Sequence, residues 1–207
     1  MTDGKRLYLI EELASIAQNG LAFASDKFDV ERYQQLRGIA AELGAEISGN
    51  NIDRVQEFFA LDTHYATPKL DVRAIVLDSE KVLLTQELSD GKWTLPGGWS
   101  DINCSPAESV EKEVREETGL EVKAHRLLGL CDKQKHDYPP QIPHAYKAFF
   151  HCLKTGGQLI KGTLETSDAE FFDLDNLPEL SPDRVSAGQL QRMVTKAITA
   201  DPLADFD

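Results

Sequence analysis

Apolar residues recur at helical spacing from the start of the chain. Leu7, Ile10, Leu13, Ala14, Ala17 and Leu21 follow one another at intervals of three and four, which places them on one face of an amphipathic helix. Asp29 is expected to cap a second helix, whose Tyr33, Leu36, Ala40, Leu43 and Ile47 step 3-4-3-4 and form a short a/d-like seam. Asn51 is expected to cap a third, shorter helix carrying Val55, Phe58 and Phe59. No proline precedes Pro68, so nothing interrupts these helices. Two fates fit them: an ordinary hairpin packed on its own domain, or a dimerisation element, because three small helices alone have little core to bury.

The texture changes at Thr67-Pro68. LDVRAIVL alternates as a strand, with Val72, Ala74 and Val76 on one face and Asp71, Arg73 and Ile75 on the other. Asp78-Ser79-Glu80 makes a turn and KVLLTQEL returns as a second strand. KWTLPGGWS leads into a helical run that ends at Gly119, and EVKAHRLLGLCD, HAYKAFFHCLK and LETSDAEFFDL supply further strand-like segments. Ser186 is expected to cap a last helix over 187–199, and the acidic tail DPLADFD is expected to be mobile. The pattern gives a mixed α/β (α+β) chain in two parts: a helical extension over 1–66 and a strand-rich domain over 67–207.

Composition narrows the function. No run approaches the roughly 18 consecutive apolar residues of a membrane span. The N-terminal segment meets Glu11 and Glu12 too soon for a signal peptide. Cys104, Cys131 and Cys152 are odd in number and widely spaced, with no CxxC pair. They form neither a disulfide framework nor a zinc motif, and a reducing, cytoplasmic setting is expected. The 22 Lys and Arg against 35 Asp and Glu leave −13, which argues against a broad polyphosphate-clamping surface and against nucleic acid as a partner. A small phosphate-containing substrate still fits if cations mediate the contact.

The chemistry is concentrated in GGWSDINCSPAESVEKEVREETGL, Gly97 to Leu120. Ser105-Pro106 opens a helix and Gly119 closes it. Ala107, Val110 and Val114 share a narrow apolar arc, while Glu113, Glu116 and Glu117, at i, i+3 and i+4, occupy an adjoining arc about 100° wide. Like charges at this spacing cost a few tenths of a kcal/mol each. A bound Mg²⁺ or Mn²⁺ reverses that sign, because hard oxygen donors are what such ions take. Gly97-Gly98 permits a tight turn and a close approach of main-chain groups to a ligand. Residues 100–120 hold six acids and two bases, so part of the negative charge is the candidate site itself.

From Gly98 to Leu120 the sequence resembles the Nudix box, G-x5-E-x7-R-E-U-x-E-E-x-G-U, where U is a bulky aliphatic residue. Gly98, Glu113, Val114, Glu116, Glu117, Gly119 and Leu120 match at the family's spacing, while Cys104 stands for its Glu and Lys112 for its Arg. In the family that Glu and Arg pair and support the loop. Losing both leaves no uncompensated charge, but the number of metal ions becomes open. The resemblance extends from about Leu70 to Pro182. The helical extension, with GGWSD and SPAE, is similar to a branch of ADP-ribose or CDP-choline pyrophosphatases. It implies an α/β/α sandwich with a mixed sheet, Mg²⁺ (or Mn²⁺) held by Gly98, Glu113, Glu116 and Glu117, and a homodimer. The implied reaction is hydrolysis of a nucleoside diphosphate linked to a group X, giving a nucleoside monophosphate and phosphorylated X.

The residues leave the general base open among the box carboxylates, Glu116 and Glu117, and the downstream Glu165 and Glu170. Candidates for substrate contact are Arg73 for phosphate, Trp99 for stacking on a base or ribose, and His136 and Tyr138 in the long loop 132–144 for selecting X. Core packing is expected for Trp93, and Cys104 is expected to be a small filler. Two other readings stand beside the pyrophosphatase: an enzyme acting on RNA, and a regulatory module that binds a nucleotide without cleaving it.

Overall fold

The computed structural model describes residues 2–48 and 51–207. The chain forms two compact units: residues up to Pro68 with Pro139–His144, and Lys69–Tyr138 with Ala145–Asp207. Loop 132–144 is divided between the two units: His136 and Tyr138 belong to the second, and Pro139–His144 to the first.

The first unit holds α1 (Asp3–Phe23), α2 (Lys27–Ser48) and α3 (Ile52–Ala60). Thr2 caps α1, and Asn51 caps α3 by accepting from the N–H of Asp53. At α2 the cap is Asp26 rather than Asp29: its carboxylate accepts from the N–H groups of Phe28 and Asp29. Asp29 lies inside the first turn, paired with Arg32. Ile10, Ala14, Ala40, Ala41 and Phe59 form the core, with Ile142 packed against it. The seam expected on α2 is shifted. Ala40, Ala41 and Gly44 are buried, while Leu43 is 39% exposed. Small residues let the helices approach, and a Cβ on Gly44 would already lie 3.3 Å from Val55. Ile16, Phe23, Ile39 and Phe58 remain exposed.

The second unit is the α/β/α arrangement implied by the resemblance. Its elements are β1 (Lys69–Asp78), β2 (Lys81–Glu87), β3 (Trp93–Thr94), α4 (Pro106–Thr118), β4 (Leu120–Asp132), β5 (Ala145–Gly157), β6 (Thr166–Phe172), α5 (Ala187–Ile198) and β7 (Asp205–Phe206). The mixed sheet runs β3-β2-β1-β5-β4-β7, with β6 on β2. β1 is antiparallel to β2 and parallel to β5.

β1 is buried continuously from Asp71 to Val76, as a central strand covered on both faces must be. Val72, Ala74 and Val76 pack with Val110 and Val114 of α4. Ile75 faces the other way, toward Leu190, Met193 and Val194 of α5. The alternation in LDVRAIVL therefore separates two apolar layers, not an inside from an outside. Trp93 sits against Phe172 edge-on, with ring centroids 4.7 Å apart. The acidic tail is not loose: β7 pairs parallel with β4, Gly129 against Asp205 and Leu130 against Phe206. Arg192 and Lys196 pair with Asp205, so two cations offset the charge that the composition exposes. Among the described residues no helix is long and apolar enough to cross a membrane.

Candidate active site

Helix α4 is built to hold its carboxylates in one place. Ser105 and Glu108 form a reciprocal capping box, with Pro106 in the first turn; such caps contribute about 1 kcal/mol. At the other end Gly119 takes the left-handed conformation, φ 73°, open to glycine without steric cost. A Cβ there would come within 2.6 Å of the Gln158 carbonyl.

The loop before the helix is pinned to β1. The N–H of Val72 donates to the Gly98 carbonyl and that of Ala74 to the Pro96 carbonyl, both at 2.8 Å, and Ser100 N–H returns to the Leu70 carbonyl. Gly97 is indispensable to this path. Its φ is 137°, and a Cβ would lie 1.9 Å from the Val72 carbonyl oxygen. At Gly98 a Cβ would press on the Glu113 carboxylate at 3.1 Å.

Glu117 lies beneath this loop, 5% exposed. Its Oε2 accepts from the Gly97 N–H at 3.1 Å and the Thr85 hydroxyl at 3.4 Å. Burial pushes its pKa up to about 8 despite the opposing Arg73 guanidinium and Gly97 N–H, and the Glu113 and Glu87 charges add to the rise. Burial, followed by the Glu165 charge, also raises the Glu113 carboxyl. Oxygens of Glu113, Glu117 and Glu165 all lie within 4.8 Å of one another. A half-buried trio of this kind repels itself and offers only hard oxygen donors, the set that a divalent cation relieves.

The other candidates fall in different places. Glu116 stands at the outer side of the same helix, half exposed, and meets Lys112 at 3.5 Å. Glu170 is not in the trio. It is two residues from Phe172, which packs on the α5 side, whereas Phe171 packs on the α4 side. The period of two along β6 turns Glu170 away from the box carboxylates. Trp99 is 52% exposed, with its backbone bridged to Asp71.

Arg73 does not present a guanidinium to solvent. It is 3% exposed, with Nε and Nη2 donating to the Asp71 carboxylate at 2.6 and 3.3 Å and Nη1 to the Leu95 carbonyl at 3.0 Å. Lys147, fully buried, donates to the same carboxylate at 2.6 Å. The sequence reading missed this Asp71–Arg73–Lys147 group; the available signal was a lysine among apolar residues in HAYKAFFHC. His136 meets Asp207, and the Tyr138 hydroxyl donates to Gln189 Oε1, so neither loop residue offers its polar atom free of a protein partner.

One of the two departures in the box, Lys112, finds a new partner in the loop. Lys112 Nζ bonds Asp101 at 2.6 Å and ties the loop to the helix in the way the missing Glu–Arg pair would. Cys104, half-buried, takes no part in that tie.

A family model described as "NUDIX domain" matches residues 67–192. A second, described as "UDP-X-like, N-terminal oligomerisation domain", matches residues 5–59. YjhB of Bacillus subtilis (strain 168), provisionally named an ADP-ribose pyrophosphatase, is 42% identical over 98% of this chain and 97% of its own length. A crystal structure of an ADP-ribose pyrophosphatase from Streptococcus suis 89-1591 is 40% identical and superposes with a TM-score of 0.62, covering 68% of this chain and all of that one. A crystal structure of a UDP-X diphosphatase, 31% identical, covers the whole of both chains with a TM-score of 0.64.

Proposed function

The chain belongs to the Nudix hydrolase family and hydrolyses phosphorus-containing anhydrides; from that premise we propose that it is a Mg²⁺-dependent pyrophosphatase of nucleoside diphosphates linked to a second group, with ADP-ribose the first substrate to test. The observation that carries this reading is the convergence of Glu113, Glu117 and Glu165 below the Gly97-Gly98 turn. The relatives named for ADP-ribose support the choice of substrate.

Glu113, Glu116, Glu117 and the Gly98 carbonyl would hold the ion. That carbonyl spends one lone pair on Val72 and keeps a second. When bound, Mg²⁺ neutralises the diphosphate and makes a bound water more acidic. The chain's own part is orientation and proton transfer. Gly97 N–H and the Thr85 hydroxyl fix the Glu117 carboxylate. Glu165, exposed and on the loop before β6, accepts the proton of the attacking water as general base. The products are a nucleoside monophosphate and phosphorylated X. Trp99 offers an exposed ring face for stacking.

The test is a panel of nucleotide conjugates with Mg²⁺ or Mn²⁺, with monophosphate release followed by chromatography. ADP-ribose is expected to be cleaved. Glu165→Gln should lower kcat by about 10²–10⁴-fold, the range for loss of a general base, and Glu170→Gln should leave it near that of the parent. Equal effects of the two would remove the general-base assignment, and no release from any conjugate would sink the pyrophosphatase reading.

The first unit supports self-association, since its family model is described as an oligomerisation domain and it carries exposed apolar residues. We expect a homodimer by size exclusion with light scattering. Ile39→Glu combined with Leu43→Glu, on one exposed strip of α2, should shift it toward monomer. A monomeric parent would refute the dimer.

A further inference from the structure

We propose that Cys131, His136 and Asp207 form a second metal site, for a single zinc-class divalent ion, which fastens the C-terminal strand to the sheet. The three residues come from separate segments of the second unit. Cys131 is the penultimate residue of β4, His136 follows the 3-10 turn Lys133–Lys135, and Asp207 follows β7. A thiol sulfur, an imidazole nitrogen and a carboxylate oxygen from these residues lie within 4.8 Å of one another. Tetrahedral zinc with bonds of about 2.0–2.3 Å holds its ligand atoms about 3.3–3.8 Å apart, so a small inward movement completes the set.

The surroundings are those of a constructed site. His136 Nε2 is 3.1 Å from both oxygens of Asp207, and the Asp132 N–H orients the same carboxylate at 2.6 Å, the outer-shell support that metal carboxylates use. Asp205, next but one along the tail, is already neutralised by Arg192 and Lys196, which leaves Asp207 for the ion.

A further observation comes from α5. Gln189 is 5% exposed, its Oε1 is taken by Tyr138, and its side chain donates toward the Cys131 sulfur, which opposes the rise that burial causes in the thiol pKa. Gln189 lines a cavity of about 320 Å³ together with Cys131, His136 and Asp207. An amide N–H directed at Cys131 favours its thiolate, the form that a zinc ion binds.

The donor set separates this ion from the one at the box helix. Thiolate and imidazole select zinc-like ions over Mg²⁺, which favours the all-oxygen donors at the box helix. On binding, the Cys131 sulfur gives up its proton to solvent and the imidazole coordinates in its neutral form.

The experiment uses the full chain, stripped with chelator, supplied with Zn²⁺ in excess Mg²⁺, passed through gel filtration and assayed for zinc by mass spectrometry. A single zinc per chain is expected to remain. Asp207→Asn and Cys131→Ser should each weaken zinc binding by about tenfold or more, while Glu117→Gln should retain zinc as the parent does. With Co²⁺ in place of zinc, the parent should show a thiolate-to-metal charge-transfer band that Cys131→Ser lacks. Asp207→Asn, at an exposed position, answers the question even if Cys131→Ser misfolds. No zinc retained in excess Mg²⁺, unchanged zinc binding in Asp207→Asn, or loss of zinc from Glu117→Gln would each overturn the proposal. Because the readout is metal content, failure here leaves the pyrophosphatase reading standing, and failure of that reading leaves this site standing.

Discussion

Glu117→Gln is expected to lower turnover by about 10²–10³-fold, the scale for loss of one preorganised charge-stabilising group, and at the same time to stabilise the chelator-treated protein above neutral pH. The two effects share a cause. Glu117 is buried, and its pKa is pushed up to about 8 from 4.5. Between those values the folded chain keeps a proton that the unfolded chain has released. Without metal, stability therefore falls as pH rises from about 4.5 and the cost is complete above about 8. Glutamine keeps the shape and an oxygen for the Gly97 N–H but cannot ionise, so the variant should gain roughly 2–4 kcal/mol at pH ~8.5 and little at pH ~4.5. Saturating Mg²⁺ should close most of the gap at pH ~8.5, adding about 2.7 kcal/mol to the parent at a hundredfold excess over Kd. Urea unfolding with and without chelator at the two pH values measures both terms. A metal-free parent of unchanging stability across this range would contradict the buried-carboxyl argument; wild-type turnover in the variant would remove Glu117 from the metal set.

Asp71→Asn should cost about 3–5 kcal/mol of stability, because it removes from the buried Arg73 and Lys147 the carboxylate to which both donate. Arg73 is 3% exposed and Lys147 fully buried, and both donate to the Asp71 carboxylate. Burial and the Arg73 charge depress the Lys147 pKa to about 7 against the pull of Asp71. Lys147→Met should be far milder, within about 1.5 kcal/mol of the parent, because the Asp71–Arg73 fork and the bond to Leu95 remain and the substitute is apolar and of similar length. Urea midpoints at constant m-value give the comparison. A Lys147→Met variant less stable than Asp71→Asn would refute this ordering. The group also lies next to chemistry: the Arg73 charge lowers the Glu117 pKa that burial raises, so Asp71→Asn is expected to disturb turnover as well as folding.

The box helix was legible in the sequence because everything that defines it is local. Ser105, Pro106 and Glu108 set its start and Gly119 its end, and a 3.6-residue period places Glu113, Glu116 and Glu117 together whatever packs around them. The same local logic found α5 and its Ser186 cap. It failed at Asp26 and Asp29, where two acids four residues or fewer from the helix start compete and only the backbone path selects between them. It failed more broadly at α2, where spacing allows Leu43 or Gly44 on the inner face and the closeness of α1 and α3 decides for glycine.

What the sequence alone determined, then, is the set of short-range facts: which segments are helix or strand, where the box begins and ends, and which carboxylates share a helix face. What required the tertiary structure is every relation between segments. Asp71 and Lys147 are direct partners across the parallel β1–β5 pair, a pairing that no pattern within either strand encodes. Glu165, on the loop before β6, joins the box carboxylates and Glu170, on the strand, does not, because the face a strand residue occupies depends on which helix lies on that side of the sheet. The tail, acidic enough to look mobile, is held by Arg192, Lys196 and the open edge of β4. Periodicity acts over a few residues, whereas the burial and charge pairing that set pKa values act between residues that only folding brings together.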